Sequence, residues 1–598
     1  MNSPFESPSM NRGNAIHIVL AIPELTCELF SNLTSHELAN CIRVCRYWMH
    51  HLEPVLWTNF CNGGRRRTKL LPETTAALIR NLPYIRTIEL TLQDHAVLQE
   101  LAHSTTHASQ PGDSASDRGE PCTQLRRLTL ENSYRFEEYL GYMKPECINA
   151  RDFSLLLSNT ITLLNRNPLL THLTLPFPDV KPDDPILAAI SNLKGLQYLA
   201  VQSNGVSPIH TRSVSLLLRA CLPLPEVTEL RINSHVRWVD RVHDMDIPDM
   251  ETIIEEAAVT RFSQTPTPGK IKALELPSRP ESSSNPIALS LLKSGLLDLE
   301  SFTLPQFAGD SLHNNFEQLV RESCPNLKHL RCSCSSGHLD GCRHMRDFIR
   351  GCSGLLSFVA DAFSDEDYDY RNNSYQPRCL ISDLVSHHRE TLEVYELKNY
   401  DQVASRDLQQ VLAQCKRLKR FHVIAKFPNY YRLDGDRGFE TEDATEGDWV
   451  CTELRELWIT LGRYSIPKYV QDRLYEQIGR LEQLEQLTLD INRRKDPQLY
   501  HWGDEKRLEL DVNMLGELAG LKNLRSLRMA SCFCSNMRMP EVEFMHEHWL
   551  RLSEITLMGL DVSHLRAKEH WQWLIGKRPH LRFHTIEIGQ MPEYVHYL

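Results

Sequence analysis

The chain has 598 residues, of which 41% are hydrophobic and 24% are charged, and its formal net charge is −11. A single hydrophobic core stops growing beyond about 250–300 residues, so this length predicts several domains or an array of repeats. A mild negative charge without broad clusters of Lys and Arg argues against a nucleic-acid-binding surface. The sequence also lacks a run of about 18 apolar residues, which argues against a membrane-spanning helix.

Residues 1–20 are expected to form a partly disordered tail. The apolar stretch from Ile16 to Ile22 is too short to cross a membrane, lacks a basic lead-in and runs straight into Pro23, so we do not interpret it as a secretory signal. We therefore expect the chain to work in the cytoplasm, the nucleus or both. In a reducing compartment, the 17 cysteines predict free thiols rather than a disulfide framework.

Residues 21–60 have the pattern of a small all-helical module. Pro23 and Glu24 suit a first helical turn, and Thr34 with Glu37 forms a capping box that predicts a second helix from about residue 35. Apolar residues recur at helical spacing: Leu25, Leu29, Phe30 and Leu33, then Leu38, Cys41, Ile42, Cys45, Trp48 and Leu52. About 40 residues make a small core, so we expect support from a partner or from the repeats that follow.

The module resembles an F-box. The resemblance rests on Ile22-Pro23-Glu24-Leu25, Leu29-Phe30-Ser31-Asn32-Leu33, Leu38, Val44-Cys45-Arg46-Tyr47-Trp48 and Leu56-Trp57. It departs from the family where Ile22 replaces a leucine and in the continuation Met49-His50-His51. The resemblance implies docking to a Skp-type adaptor and, through it, to a cullin scaffold. It implies adaptor contacts from Ile22, Pro23, Leu25, Leu29, Phe30, Leu33 and Leu38, with Trp48 and Trp57 mostly structural. The alternative is a helical cap on the first repeat.

The pattern Leu-x-x-Leu-x-Leu, with other apolar residues allowed, recurs along the rest of the chain and predicts a repeat array. Three successive intervals of 28 residues separate Ile271, Leu299, Leu327 and Leu355. In all, 16 candidate copies begin at Ile85, Leu125, Leu170, Leu196, Val227, Ile271, Leu299, Leu327, Leu355, Leu392, Leu418, Leu454, Leu484, Leu524, Leu552 and Leu581.

Each copy predicts one short strand, because its last two apolar positions alternate with polar ones. The preceding segment often has helical spacing, as at Leu408, Val411 and Leu412 ahead of Leu418. One helix and one strand per repeat, in a fixed order, predict parallel strands with right-handed crossovers that stack into a solenoid.

Cysteines support this register. Five of them lie three residues before the first apolar position of a repeat: Cys122, Cys324, Cys352, Cys415 and Cys451. A small, readily buried side chain suits a tight site between helix and strand. The segment from Cys324 to Leu330 resembles the cysteine-containing leucine-rich repeat. The resemblance covers roughly residues 82–588 and implies an α/β solenoid, a leucine-rich-repeat horseshoe with parallel strands.

The remaining segments are predicted to be connections. Residues 61–81 form a connector whose basic cluster, residues 65–69, is either a solvated loop or a minimal nuclear-import signal, and residues 589–598 form a tail. Insertions are expected near 103–121, 364–373 and 434–448; the last two are acidic, which suits either solvation or a basic partner.

Two segments have the residue types of a catalytic or metal site. Cys332, Cys334, His338, Cys342 and His344 form a dense cluster of soft ligands, but their spacing fits no familiar zinc module, so ordinary loop and core cysteines are the preferred interpretation. His546-Glu547-His548 lacks the spacing of a metalloprotease helix. We therefore expect no catalytic residues, no metal and no cofactor.

The residues between the apolar positions of each strand are expected on the concave face. They are of mixed charge: Arg126, Thr129, Thr174, Arg231, Glu275, Thr303, Arg331, Glu396, His422, Trp458, Thr488, Arg528 and Thr556. A large aromatic there contributes little to the core and is a favoured anchor in recognition. We predict that Trp458, with its lateral neighbours His422, Thr488 and Arg528, belongs to a target-binding face. The alternative is that the insertion at 434–448 covers Trp458.

The sequence therefore predicts a non-catalytic substrate-recognition subunit of a cullin-type ubiquitin ligase, which binds an unidentified protein target and neither nucleic acid nor membrane. A repeat scaffold without a ligase role is the alternative.

Overall fold

The structure is a computed structural model. It describes residues 33–44, 46–61, 72–91, 94–103, 124–131, 150–176, 180–181, 183–202, 216–218, 220–221, 223–233, 270–276, 296–304, 316–335, 339–363, 378–400, 405–425, 447–461, 468–491, 510–534, 537–559 and 568–587. The described residues belong to two compact units, one ending at residue 271 and one beginning at residue 272.

The first unit contains a parallel sheet of six described strands. They are β1 (Asn59–Cys61), β2 (Thr87–Thr91), β3 (Arg127–Glu131), β4 (His172–Pro176), β5 (Tyr198–Gln202) and β6 (Glu229–Asn233), and each pairs with the next in chain order. Its described helices are α1 (Ser35–Cys41), α2 (Arg46–Thr58), α3 (Pro72–Arg80), α4 (His95–His103), α5 (Ala150–Arg166) and α6 (Pro185–Ser191), with a 3-10 turn at Leu82–Tyr84.

The second unit repeats this plan with eleven described strands, again parallel and paired in chain order. They are β7 (Ala273–Glu275), β8 (Ser301–Leu304), β9 (His329–Ser335), β10 (Ser357–Phe363), β11 (Val394–Tyr400), β12 (Arg420–Ala425), β13 (Glu456–Leu461), β14 (Gln486–Ile491), β15 (Ser526–Ala530), β16 (Glu554–Gly559) and β17 (Arg582–Glu587).

Helices of the second unit connect these strands, and most of them pack against a neighbouring helix. They are α7 (Phe316–Ser323), α8 (Leu339–Gly351), α9 (Arg378–His388), α10 (Ser405–Gln414), α11 (Lys468–Gly479), α12 (Val512–Glu517), α13 (Ser531–Cys534), α14 (Met539–His548) and α15 (Glu569–Lys577), with a 3-10 turn at Leu518–Gly520. A strand layer covered by a helix layer within each unit confirms the predicted α/β solenoid of leucine-rich repeats.

The repeat register is confirmed at all 16 positions. Each predicted first position is buried, and a strand begins one or two residues after it. Inward residues of neighbouring strands stack in the core: the ring centroids of Phe358 and Tyr395 lie 6.2 Å apart, and those of Tyr395 and Phe421 lie 5.4 Å apart. Lateral stacking of equivalent positions explains why no single repeat needs a core of its own.

The repeated cysteines occupy the tight site that the sequence predicts. Cys324, Cys352, Cys415 and Cys451 are buried and free, whereas Cys122 lies outside the described residues. Burial raises the pKa of the Cys324, Cys415 and Cys451 thiols to about 12. These side chains therefore remain protonated and act as small apolar fillers.

The predicted helical module ends in a strand. Asn59 and Phe60 fall within the range predicted to be all helical, but they belong to β1, which pairs in parallel with β2. Pairing with the first repeat satisfies backbone groups that a helix end would leave unpaired. The predicted connector at 61–81 contains α3.

The predicted insertions and tails lie almost entirely outside the described residues. An exception is Asp448 at the end of the acidic insertion. Its carboxylate lies 2.5 Å from Nη2 of Arg473, which is in α11, and 2.8 Å from Nη1 of Arg480, which follows α11. At this position the acidic charge contacts basic residues of the chain itself.

Candidate functional site

The four residues predicted to bind a target lie side by side on β12–β15. His422 is opposite Trp458, Trp458 is opposite Thr488, and Thr488 is opposite Arg528. Neighbouring strands are about 4.8 Å apart, so these side chains form one continuous row. Their strand neighbours point into the core, which places the row on the opposite face. The structure thus brings the four residues together, and their role in binding stays a prediction.

Equivalent positions on the other strands of each unit form a row of the same kind. In the second unit it also contains Glu275, Thr303, Arg331, Val359, Glu396, Thr556 and His584. In the first unit the corresponding row contains Glu89, Thr129, Thr174, Ala200 and Arg231. Arg126, which we expected on this face, precedes β3 and donates a hydrogen bond to the carbonyl of Leu169. Arg126 directly follows the first apolar position of its repeat, Leu125, and the strand begins only at the next residue, Arg127.

A network of ion pairs lies next to Trp458. Arg420 donates two hydrogen bonds to the Glu456 carboxylate, with Nε and Nη2 at 2.6 and 2.9 Å from its oxygens. The two ring nitrogens of His422 lie 3.5 Å from Glu456 and 3.7 Å from Glu396. Glu396 in turn contacts Lys398 at 3.4 Å. The neighbouring His422 ring and the Arg420 guanidinium lower the pKa of Glu456 to about 2, so this carboxylate stays ionised.

Trp458 is partly buried rather than fully exposed. Its ring meets the His422 ring edge-on, with the centroids 5.9 Å apart. The Nε1 atom of Trp458 is buried and has no hydrogen-bond partner among the described residues, and the same holds for Oγ of Ser526 two strands away. The outward face of β13–β15 therefore carries two polar atoms whose hydrogen bonds are not made within the described chain.

The helical module is built around two buried leucines. Leu38 on α1 and Leu52 on α2 form its core, and Leu33, Cys41, Ile42, Trp48, Val55 and Leu56 pack against them. The predicted capping box is present: the Thr34 amide donates to the Glu37 carboxylate at 2.8 Å, and the Glu37 amide donates to Thr34 Oγ1 at 3.3 Å. Trp57 stacks on Phe60 with the ring centroids 6.2 Å apart. Trp48 and Trp57 thus both contact residues of the module itself.

Two large apolar side chains of the module face outward. Val44 is 66% exposed and Met49 is 46% exposed. Each side chain therefore leaves a large part of its apolar surface in contact with water. The module also runs directly into the repeats: α2 ends at Thr58, β1 begins at Asn59, and the Arg86 amide donates to the Thr58 carbonyl at 2.9 Å.

A family described as F-box-like matches residues 23–63. This chain carries an F-box-like domain. The match includes α1, α2 and β1, so the F-box-like domain supplies the first strand of the sheet to which the leucine-rich repeats add theirs. It confirms the predicted combination of an F-box with leucine-rich repeats.

No curated protein matches this sequence. Among solved structures, the chain is similar to the Rad7 and Elc1 complex from yeast, with 14% identity, coverage of 67% of this chain and 78% of that chain, and a TM-score of 0.32. It is also similar to the leucine-rich-repeat-containing protein LegL7 from Legionella pneumophila, with 11% identity, coverage of 68% and 89%, and a TM-score of 0.27. At these TM-scores neither likeness bears on function.

Most predicted adaptor contacts of the F-box-like domain lie outside the described residues: Ile22, Pro23, Leu25, Leu29 and Phe30. Leu33 is partly buried against the core of the domain. Leu38 is 6% exposed and packs with Leu52, so the structure places it inside the domain rather than on a contact surface. The reason is that α1 turns this side chain towards α2.

The two segments considered for metal binding behave as core and surface residues. Cys332 is buried at the inward position predicted for it, and His338 lies outside the described residues. His546 accepts a hydrogen bond from Arg578, and His548 stacks on Phe544 with the centroids 4.2 Å apart. Within the described ranges, no three His, Cys, Asp or Glu residues are grouped so as to hold a metal ion.

A membrane span requires a helix of about 20 predominantly apolar residues. Among the described helices, none is both long and apolar enough to cross a bilayer.

Sequence reasoning missed three residues of the strand face. Arg420, Glu456 and Ser526 each occupy the first position of a strand and point to the same side as the residue two places later. Apart from Arg126, the residues predicted for this face all come from the position between the last two apolar residues of each repeat. Adding the position two residues earlier in every repeat would have found all three.

Proposed function

We propose that this chain is the substrate-recognition subunit of a cullin-type ubiquitin ligase. The F-box-like domain docks to a Skp-type adaptor, and the strand face of the leucine-rich repeats binds a protein target. The observation that carries this proposal is an F-box-like domain at residues 23–63 placed ahead of leucine-rich repeats. A receptor of this kind works in the cytoplasm or nucleus.

The proposed receptor performs no bond chemistry. It raises the effective concentration of a target lysine near the conjugating enzyme that the ligase recruits. The direct continuation of α2 into β1 and the pairing of β1 with β2 support such a role, because a domain joined to the repeats by a paired strand holds a more constant position than one on a free linker.

The exposed apolar side chains of the F-box-like domain support docking. Burying the exposed parts of Val44 and Met49 under a second surface would add favourable free energy to docking. An adaptor is the partner that an F-box-like domain implies. Apolar anchors at such interfaces typically contribute about 2 kcal/mol or more each when they are central.

A second candidate function is a binding scaffold without a ligase role. The pairing of β1 with β2 favours it, since a domain that covers the edge of the first repeat already has a structural purpose. On this alternative the domain binds no adaptor.

Adaptor binding separates the two functions. The experiment measures how well the full chain captures a purified Skp-type adaptor. Two variants of the full chain are measured in the same way: the double variant Pro23→Ala, Leu25→Ala and the single variant Val44→Asp. Val44→Asp is expected to weaken capture about 30-fold, as a loss of about 2 kcal/mol implies, and the double variant is expected to weaken it more, because it removes two anchors. The matched control is Tyr84→Ala, which removes an exposed ring of the same unit outside the domain and should leave capture unchanged.

Circular dichroism of each variant checks that the repeats stay folded. Full capture by the Pro23→Ala, Leu25→Ala double variant would contradict this docking mode. Absence of capture by the unaltered chain would favour the scaffold.

A further inference from the structure

Three exposed arginines lie together at the edge of the strand face of the first unit. Arg86 directly precedes β2, Arg126 directly precedes β3, and Arg127 is the first residue of β3. The amides of Arg126 and Arg127 donate to the Arg86 carbonyl at 2.8 and 2.9 Å, so the three residues are neighbours on strands about 4.8 Å apart. All three side chains are exposed, which leaves their charges accessible to a second molecule.

Folding does not explain this group of positive charges. Within the described residues, no acidic side chain pairs with any of the three, and the Arg126 guanidinium donates at 3.2 Å to the uncharged carbonyl of Leu169. Like charges that face one another on neighbouring strands destabilise a sheet. The three arginines therefore have the arrangement of a surface that waits for a negatively charged partner.

Equivalent positions of the second unit show the charge pattern that folding favours. Lys328 contacts Glu300 on the neighbouring repeat at 3.4 Å, and Lys419 contacts Glu393 at 2.8 Å. Each of these four residues directly follows the first apolar position of its repeat, which is the position that two of the three arginines occupy. Charges of opposite sign on neighbouring repeats satisfy these lysines within the chain, and the three arginines lack such neighbours.

Uncharged side chains border the arginines. Along the strand face, Arg127 lies opposite Thr87 on one side and opposite His172 on the other. Burial and the charge of Arg127 lower the pKa of His172, so its ring is neutral at pH 7. Leu169, whose carbonyl accepts the hydrogen bond from Arg126, has an apolar side chain that is 48% exposed. An apolar contact is thus available beside the positive charges.

Acidic side chains limit the extent of the positive region. Glu89 on β2 accepts a hydrogen bond from Sγ of Cys61 at 2.7 Å, and Glu229 on β6 pairs with Arg231 at 2.5 Å. A long polyanion such as a nucleic acid would meet these carboxylates on the same face, whereas a short acidic segment would contact the arginines alone. The exposed Leu169 also favours a protein segment, because such a segment can place an apolar side chain next to its acidic ones.

We propose that Arg86, Arg126, Arg127 and Leu169, here called the Arg127 face, bind a short acidic segment of the target protein. Carboxylate or phosphate groups of the segment accept hydrogen bonds from the guanidinium groups, since both present the oxygen acceptors that arginine prefers. An apolar residue of the segment packs on Leu169. This proposal rests on the proposed function, because it describes the part of the target that the receptor recognises.

Peptide binding to the full chain tests the Arg127 face without any adaptor. Four bead-bound libraries of capped peptides of about 12 residues are screened, each with a leucine beside a run of varied positions. These positions carry Asp or Glu in the first library, phosphoserine in the second, Asn or Gln in the third, and Lys or Arg in the fourth. Binders are expected from the first library, the second or both, and their source identifies carboxylate or phosphate as the group that is recognised.

Salt and substitutions locate the binding. The best peptide should bind about fivefold more weakly or less tightly still in about 0.5 M salt than in about 0.05 M salt, because salt screens charge attraction. The double variant Arg86→Gln, Arg127→Gln should weaken binding about tenfold. Its matched control is Arg46→Gln, Lys181→Gln, which removes the same charge at exposed positions of the same unit, at the start of α2 and ahead of α6. The control should change binding less than about twofold, because exposed charges more than a Debye length apart are largely screened.

Urea unfolding separates binding from folding. Arg86 and Arg127 repel one another and pair with no acidic side chain among the described residues, so the double variant Arg86→Gln, Arg127→Gln should be as stable as the unaltered chain or more stable. A clear loss of stability would show that the two arginines serve the fold, and the inference would fail.

Several binding results would also overturn the proposal. Binders from the neutral or basic library alone would show that the face does not select negative charge. Acidic binders that bind the double variant and the unaltered chain equally well would place the binding elsewhere, and an absence of binders from all four libraries would leave the face without a peptide ligand. Single-stranded RNA of about 12 nucleotides that binds as tightly as the best peptide would show a general polyanion surface instead. Because no adaptor is present, each of these results leaves the docking of the F-box-like domain to be decided by its own experiment.

Discussion

Gly479 and Gly576 each lie in a helix of the second unit, and the structure predicts opposite effects of alanine at the two positions. A Cβ added at Gly479, the last residue of α11, would overlap the backbone oxygen of Glu517 in the next helix, and one added at Gly520 would overlap the Gly479 carbonyl. A Cβ added at Gly576 in α15 would meet no heavy atom within 4 Å, apart from its chain neighbours and the backbone of its own helix. Close approach of neighbouring helices therefore requires a glycine at 479 but not at 576.

The expected magnitudes follow from two opposing terms. Alanine within a helix stabilises by about 0.5–1 kcal/mol relative to glycine. Overpacking typically destabilises by about 1–3 kcal/mol, and the upper part of this range applies at Gly479 because the overlapped atom is backbone and cannot rotate away. Gly479→Ala should therefore lower the free energy of unfolding by about 1–2 kcal/mol, whereas Gly576→Ala should raise it by about 0.5–1 kcal/mol.

Urea unfolding followed by circular dichroism measures the sign of each change. Repeat arrays often unfold in parts, so hydrogen exchange of the amides in α11 and α12 gives the more local measurement. Exchange there should become faster in Gly479→Ala and stay unchanged in Gly576→Ala. If Gly479→Ala is as stable as the unaltered chain, the helices are not in the close contact that the structure shows, and this reasoning fails.

Two further changes test interactions on the strand face and between helices. The pKa of Glu456 is lowered to about 2 from its ordinary 4.5, so its ion pairs stabilise the chain above pH 4.5 and this contribution is lost as the pH falls towards 2. Glu456→Gln should therefore lower the free energy of unfolding in urea by about 1 kcal/mol at pH 7, and by progressively less below pH 4.5. A difference between the two proteins that does not vary with pH would contradict the pairing. Arg578 is buried and donates to the carbonyls of Trp549, Met545 and His546. Arg578→Met should lower the free energy of unfolding by about 2–4 kcal/mol, because these carbonyls lose their hydrogen-bond donor. The control Lys577→Met, at an exposed position, should change it little. Equal effects of the two substitutions would show that the buried hydrogen bonds do not stabilise the chain.

The repeat register was determined by the sequence itself. Apolar positions recur once for every unit of one helix and one strand. Because a solenoid is stable only if equivalent positions of neighbouring repeats stack, all copies must keep the same register. The 16 copies taken together therefore identify each strand, although the pattern in any single copy is weak. The capping box at Thr34 and the buried cysteines were predictable for a similar reason. Each depends on contacts within one repeat or one helix turn, where local spacing decides the geometry.

Only the tertiary structure decided what lies between repeats. Helical spacing groups Leu38 with Leu52, but only the structure shows that they lie on two helices, α1 and α2, and meet in one core. The three residues at 59–61 show no repeat pattern, yet they extend the sheet because β2 offers them an unpaired edge. The neighbours of Trp458 follow from lateral register, but the pairing of Arg420 with Glu456 depends on side-chain reach across two strands that lie 36 residues apart in the chain. Sequence periodicity fixes which face a residue occupies; the contacts on that face depend on which side chains from distant repeats lie within hydrogen-bonding distance.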